Sequence, residues 1–296
     1  MKWQIPAKTF LVGEYAALVE GPAILLTTEP NFEFSLRKSN SLIHPNSPAG
    51  RLWEQYGRAL TEISWTDPYQ GLGGLGASSA QFIGSYLAAR YLNEETLSLD
   101  DLLETYYKYA WSGQGVRPSG YDVLAQVHHG CVYIDKLTRE VHCYDWIFQD
   151  ISFILLHTGN KLATHSHLQA VALPDDLSIL ITIIEQAKAA FSDGNSNQLI
   201  MAIDAYQEAL THLNFVAPTT LDFIKGFKTN PDVLTIKGCG ALGMDVLLLI
   251  VPHARLNAVV NLLVKEKWSV LATSENLYRG KSLLARNQLT TTATCP

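Results

Sequence analysis

The stretch GLGGLGASSA at residues 71–80 puts four glycines and a run of small residues directly ahead of a helical pattern. Glycine lets a backbone approach a ligand closely, and the first N–H groups of a helix have no intrahelical partner, so the segment reads as an anion site. Gly71, Gly73, Gly74, Gly76, Ala77, Ser78 and Ser79 are the residues expected to hold phosphates, with a serine hydroxyl offered to phosphate or to a metal ion. A glycine-rich turn that merely lets a helix pack closely is the plainer alternative. Gly71, Gly73 and Gly76 also satisfy GxGxxG, but the dinucleotide fingerprint needs a strand before it and a βαβ unit around it. Here the polar TDPYQ precedes and a second helical pattern follows, and no lysine closes a Walker loop.

A chain of 296 residues with 47% hydrophobic content can bury two modest cores. A formal charge of -6 argues against a general nucleic-acid binder, so an anionic ligand needs local basic groups. The four cysteines (Cys131, Cys143, Cys239, Cys295) form no CxxC pair and have no zinc-finger histidines, which suits a reduced, cytoplasmic protein. No leader pattern and no bilayer-length apolar run stands out, so neither secretion nor membrane contact is expected. A homodimer is an allowed assembly.

Apolar alternation predicts strands over 8–18, 23–28 and 32–36, with a Gly21-Pro22 turn between the first two. Spacings of three and four predict helices over 49–63, 78–92 and 100–111, then a short helix over 119–127 before a strand at 131–135. Another apolar strand covers 151–157. Helical patterns fill 164–227, broken at Pro174, at 192–197 and at Pro218. Strands return at 233–237, 244–251 and 269–272, with a helix over 255–267. A domain boundary is expected near residue 150.

Four separated segments resemble the GHMP superfamily (galactokinase, homoserine kinase, mevalonate kinase, phosphomevalonate kinase) in its order. They are PAKTFLVGEYAAL from Pro6 followed by GPAILL, GLGASSA from Gly74, SGYD from Ser119 before HHGCVYI, and KGCGALGMD from Lys237. GEY and QGVRPSGYD are most similar to phosphomevalonate kinases. The resemblance implies an α+β, two-domain GHMP-kinase fold: a ribosomal protein S5 domain 2-like N-terminal part (1–150) carrying the phosphate loop and an aspartate segment, and a ferredoxin-like α/β sandwich (151–296). It further implies ATP and Mg²⁺ as cofactors and a small anionic metabolite as acceptor, phosphomevalonate first and mevalonate next.

By the same resemblance Asp122 is the base or the group that aligns the acceptor, although Ser119-x-x-Asp122 also spells a capping box in which the carboxylate only bonds backbone N–H groups. Lys8 stands in an apolar strand, where it either meets an anion or snorkels to the strand edge. Glu14 pairs with Lys8 or holds the acceptor, unless it makes only a structural ion pair. Tyr15, Ser119, Gly120, Gly240 and Ala241 complete the implied acceptor site. Thr158 and Lys161 look like the family's TGxK segment, with Thr164 capping the next helix, and an exposed loop lysine is the alternative. Arg117 beside SGYD either grips an anion bidentately or is solvated. The pattern departs from the family at Leu242 and Met244, where glycine is usual, and at Tyr109, Ala110 and Trp111, where mevalonate kinases carry a metal-binding glutamate. Metal then leans on Ser78, the phosphates and water. Two other classes compete: a non-catalytic regulatory paralogue, motivated by Leu242 and Met244, and a dinucleotide oxidoreductase, which rests on GxGxxG alone.

Overall fold

The computed structural model describes residues 1–37, 43–56, 59, 62–159, 173–174 and 176–284. β1 (Lys2–Val12) and β2 (Ala23–Leu36) form a long antiparallel pair that sets Lys8 opposite Thr27. β1 begins six residues earlier than the sequence pattern predicts and stops at Val12. The cause is Gly13, at φ 120, where a Cβ would lie 2.2 Å from the Ala23 Cβ. The chain therefore turns there and runs into a short 3-10 turn, Ala16–Val19, rather than extending to residue 18. The two strands expected at 23–28 and 32–36 are one continuous strand, held along its length by β1.

α1 (Pro48–Gln55) starts as its residues dictate, with the Ser47 hydroxyl accepting from Gly50 N at 3.1 Å and Pro48 at the first position. It is shorter than the helix expected to residue 63, since Ile63, Ser64, Trp65 and Thr66 form β3 (Ile63–Thr66), a β-branched and aromatic run paired with the far half of β2. β4 (Cys131–Asp135) pairs with the near half of β2, and β5 (Glu140–Tyr144) lies outside β4. α2 (Ala77–Leu92), α3 (Leu99–Ala110) and α4 (Tyr121–Gln126) accompany this sheet.

The second sheet has the order β7-β8-β6-β9: β6 (Ile151–His157), β7 (Thr235–Cys239), β8 (Val246–Pro252) and β9 (Ser269–Thr273), all antiparallel. Its central strands are almost wholly buried and largely apolar, Ser152 and His157 of β6 being the polar exceptions, because both faces are covered. Val246, Leu248 and Ile250 join the main core with Phe153 and Leu155, whereas Leu247, Leu249 and Val251 pack with Ile154, Leu156 and the helix Leu256–Lys265. Three further helices, Ser178–Asp193, Ser196–His212 and Pro218–Phe227, break near the predicted points, at the polar turn and at Pro218. The helix start expected at Thr164 lies outside the described residues. Among the described residues no helix is long and apolar enough to cross a membrane.

Candidate active site

β3 and the glycine loop are separated by a turn that the sequence itself dictates. Asp67 accepts from Tyr69 N at 2.8 Å and from Gly71 N at 2.9 Å, bending the chain back before the glycines. A strand thus does precede the loop, contrary to expectation. It pairs antiparallel with β2, so no βαβ unit forms and the dinucleotide reading fails on topology. The loop is tied to β1 where Lys8 N donates to Leu75 O at 3.0 Å. It ends at Gly76, which caps α2 in the left-handed conformation with no side-chain cap. The first N–H groups of a 16-residue helix are therefore left for a ligand.

These residues line a cleft of about 760 Å³, within the range of small-molecule sites. Gly71, Gly73, Gly74, Gly76, Ala77, Ser78 and Ser79 form one wall; Lys8, Ser119, Gly120 and Asp122 another; Glu14, Tyr15, Gly240, Ala241 and the unanticipated Cys239 and Asp245 a third. Gly74 has no room for a side chain, since its Cβ would meet the Asp245 Cβ at 2.7 Å, whereas Gly71 faces open space. Ser78 is exposed at the helix start, while Ser79 is buried and donates inward, to Gln126. Of the two hydroxyls, that of Ser79 is engaged within the protein, which leaves the Ser78 hydroxyl open to a ligand in the cleft.

Lys8 Nζ lies 2.8 Å from Asp122 Oδ1. The lysine stem is buried while the carboxylate is about a third exposed, so the charged ends meet at the cleft surface. This geometry removes the capping-box reading of Ser119-x-x-Asp122. The N-cap of α4 is Gly120, at φ 77, with no side-chain cap, and Asp122 turns to Lys8 instead. The capping box is absent because a left-handed glycine replaces the extended N-cap that such a box requires.

Glu14 pairs not with Lys8 but with Lys237, whose Nζ also donates to Gly238 O at 3.1 Å. Both side chains are buried, and Glu14 Oε2 has no hydrogen-bond partner among the described residues. Burial opposes the charge on Lys237, but the adjoining Cys239 and the Glu14 carboxylate outweigh it and raise its pKa. Burial likewise pushes the Cys239 thiol up to about 12, which leaves it protonated at neutral pH. Around this pair, Tyr206 OH donates to Glu14 O at 2.7 Å and Leu242 N donates to Tyr15 OH at 3.1 Å, fastening the turn after β1 to the second sheet. Tyr15 stacks on Phe215, and burial raises its phenol to about 12. Leu242 occupies the left-handed region at φ 53, a conformation that glycine adopts freely and leucine only under constraint. The leucine is accommodated because both of its backbone groups are bonded, the carbonyl to Ala217 N at 2.9 Å.

Two expected site residues are not brought to the cleft, and a third lies outside the described residues. Arg117 is not part of its lining; its Nη2 lies 2.5 Å from Glu20 Oε1 and its guanidinium covers the Tyr107 ring. Lys136, burial and Arg117 act on Glu20 in that order of size, the two cations prevailing to lower its pKa, so this carboxylate holds Arg117 on the outer side of the loop. Thr158 is buried behind the third wall, where its hydroxyl donates to Met244 O and its N–H to Asp245 O. Lys161 lies outside the described residues. Sequence reasoning missed Asp67, although D-P-Y-Q-G is an Asx-turn signal, and Asp245 and Gln126, whose roles depend on long-range packing. It also missed Arg51, which lines the cleft beside the loop and donates to Tyr109 O.

The donors present fit a polyphosphate: free helix N–H groups, a side-chain-free cradle at Gly71, and the Lys8 and Arg51 cations in one cleft. Among the described residues no group of three or more histidine, cysteine, aspartate or glutamate side chains could hold a metal ion.

No protein-family model matches the chain, and no curated protein matches it in sequence. Solved structures do match in fold. A mevalonate kinase from Methanococcus jannaschii superposes with a TM-score of 0.69 at 15% identity, over 95% of this chain and 98% of that one. The Streptococcus pneumoniae phosphomevalonate kinase, solved with phosphomevalonate and AMPPNP, gives 0.73 at 13% identity over 92% and 99%. A Lactococcus lactis galactokinase bound to galactose gives 0.67 at 12% identity over 91% and 92%. The chain has the α+β fold of the GHMP kinases.

Proposed function

We propose that the protein is an ATP-dependent phosphotransferase that transfers the γ-phosphoryl group to an oxygen of a small anionic metabolite. The observation that carries this reading is the Lys8–Asp122 pair, set in one cleft with the open N-terminus of α2. Phosphoryl transfer needs positioning and charge stabilisation more than covalent help from the protein. Asp122 orients the attacking acceptor oxygen, a phosphate oxygen in phosphomevalonate or a hydroxyl in mevalonate, and takes its hydrogen where it carries one. The new oxygen–phosphorus bond forms as the bond to the β-phosphate oxygen breaks, and any proton passes to Asp122 or to solvent. Lys8 neutralises charge on the transferring group, and the N–H groups from Gly76 to Ser79 hold the nucleotide phosphates. Mg²⁺, when bound with the nucleotide, would supply positive charge at the phosphates, and Ser78 is the residue that would contact it. Glu14, Tyr15, Ser119, Gly120, Gly240 and Ala241 bound the acceptor end.

Phosphomevalonate is the first acceptor to test and mevalonate the second, because the sequence motifs are most similar to those of phosphomevalonate kinases. Two further proposals accompany this one: residues 1–150 and 151–296 act as separate lobes around the cleft, and the protein works in the cytoplasm, where the free thiols of Cys131, Cys143 and Cys239 stay reduced.

A coupled ADP-release assay across phosphomevalonate, mevalonate, homoserine and sugars tests the reading. Acceptor-dependent ADP release with one of them is the expected result; nucleotide binding without turnover on any would replace it with the regulatory paralogue. Replacing Ser78 with Ala is expected to raise the KM for MgATP by roughly three- to tenfold, the effect of losing one solvent-exposed hydrogen bond of ordinary strength. Unchanged kinetics at limiting Mg²⁺ would remove Ser78 from the phosphate site.

A further inference from the structure

We infer that Gln126 is a positioning residue that fixes the phosphate loop relative to Lys8 and Asp122; the inference rests on the phosphotransfer reading above. Gln126 is fully buried, closes α4 one helical turn after Asp122, and does not line the cleft. Its carboxamide nonetheless meets both elements that do. Nε2 donates to Pro6 O at 2.8 Å and to Gly76 O at 3.1 Å, while Oε1 accepts from the Ser79 hydroxyl at 2.5 Å. Chemistry fixes this orientation: carbonyl oxygens only accept, so the NH₂ faces the two carbonyls and Oε1 is left for the hydroxyl.

The partners are the ones that set the reaction geometry. Pro6 lies on β1 two residues before Lys8, and Gly76 is the residue that opens α2, its carbonyl also accepting from Ala80 N at 2.9 Å. Nothing in this corner can shift independently. A Cβ on Gly76 would lie 2.9 Å from Lys8 Cγ and 3.0 Å from Gln126 Nε2, so lysine stem, loop and carboxamide are already in contact. One side chain on the helix that bears Asp122 therefore sets the distance from the α2 N-terminus to the Lys8–Asp122 pair. Without it, Pro6 O loses a buried donor while the part-buried Gly76 O keeps its contacts with Ala80 N and the Ser79 hydroxyl, so the carboxamide's tie between β1 and the loop is lost. Transfer chemistry tolerates loss of such alignment poorly.

The test is Gln126→Met, which keeps the length and removes every hydrogen bond. Three quantities are measured on folded protein: the Kd for a non-hydrolysable ATP analogue, kcat, and the KM for the acceptor. We expect a roughly tenfold rise in nucleotide Kd and a fall in kcat of about tenfold or more, with acceptor KM changed by less than about twofold. A residue that only stabilises the core would lower the thermal midpoint and the folded fraction without that split. Nucleotide Kd and kcat equal to those of the unaltered protein would overturn the inference. If the unaltered protein itself binds no analogue, the phosphotransfer reading fails, and the control shows it separately. Should the Met variant not fold, Ser79→Ala removes the hydroxyl arm alone and is expected to raise the nucleotide Kd about threefold; an unchanged Kd there also overturns the inference.

Discussion

Replacing Asp122 with Asn is expected to lower kcat by about 10²- to 10⁴-fold, the range for losing a positioned general base, while the Kd for nucleotide changes by less than about threefold. The split follows from the arrangement of the cleft. In the proposed reading the phosphates are held by the loop and the α2 N-terminus, whereas Asp122 stands on α4 across the same cleft. Asn keeps an oxygen that can accept from Lys8, so the fold should survive, though the lysine loses a charged partner 2.8 Å away. With the carboxylate about a third exposed, that loss should cost roughly 1 kcal/mol, as for exposed and half-exposed pairs. The measurement is kcat, nucleotide Kd and thermal midpoint on one preparation. A lowered midpoint with near-normal kcat would make Asp122 no more than the counterion of Lys8 and place the base elsewhere.

Local chemistry in the chain announced much of this site, and the parts that stayed hidden share a cause. The glycine loop, the helix after it and the SGYD turn are short-range patterns, and each lies where periodicity and turn residues put it. The strand limits were less legible. β1 stops at Val12 because Gly13 packs on Ala23, a contact between strands rather than a property of either. β5 escaped notice because its alternation, Val141 and Cys143 set between Glu140 and His142, lasts only five half-buried or exposed residues. The capping-box alternative at Ser119-x-x-Asp122 was reasonable by spacing and failed on one dihedral, the left-handed Gly120. Arg117 was reached by adjacency to SGYD alone, and a carboxylate nearly a hundred residues away in the chain, Glu20, decided its direction. Glu14 lines the cleft, but the ion pair it makes is with Lys237 and not with the Lys8 that the sequence suggested. Its lysine is 223 residues distant, beyond any pattern that a window on the sequence can show.

That ion pair carries the largest expected effect on stability. Lys237 is fully buried on β7 and Glu14 nearly so in the turn after β1, hence the pair bridges the two sheets with little water to screen it. Substituting Lys237 with Met leaves the Glu14 carboxylate buried with neither oxygen compensated, since Oε2 already lacks a partner among the described residues. The expected loss is about 3–5 kcal/mol, or a fall in thermal midpoint on the order of 10 °C for a chain of this size. Charge burial rather than lost packing is the proposed cause, and a second variant separates the two. Glu14→Leu combined with Lys237→Met removes both charges and fills similar volume, so it should recover at least half of the loss by the general behaviour of buried pairs replaced with apolar residues. A double variant as unstable as Lys237→Met would mean that the lysine stem and its bond to Gly238 O matter more than the charge. The same double variant bears on function: Glu14 borders the acceptor end of the cleft. If stability returns while acceptor KM stays raised, Glu14 Oε2 is left unpaired in the protein because its partner is the substrate.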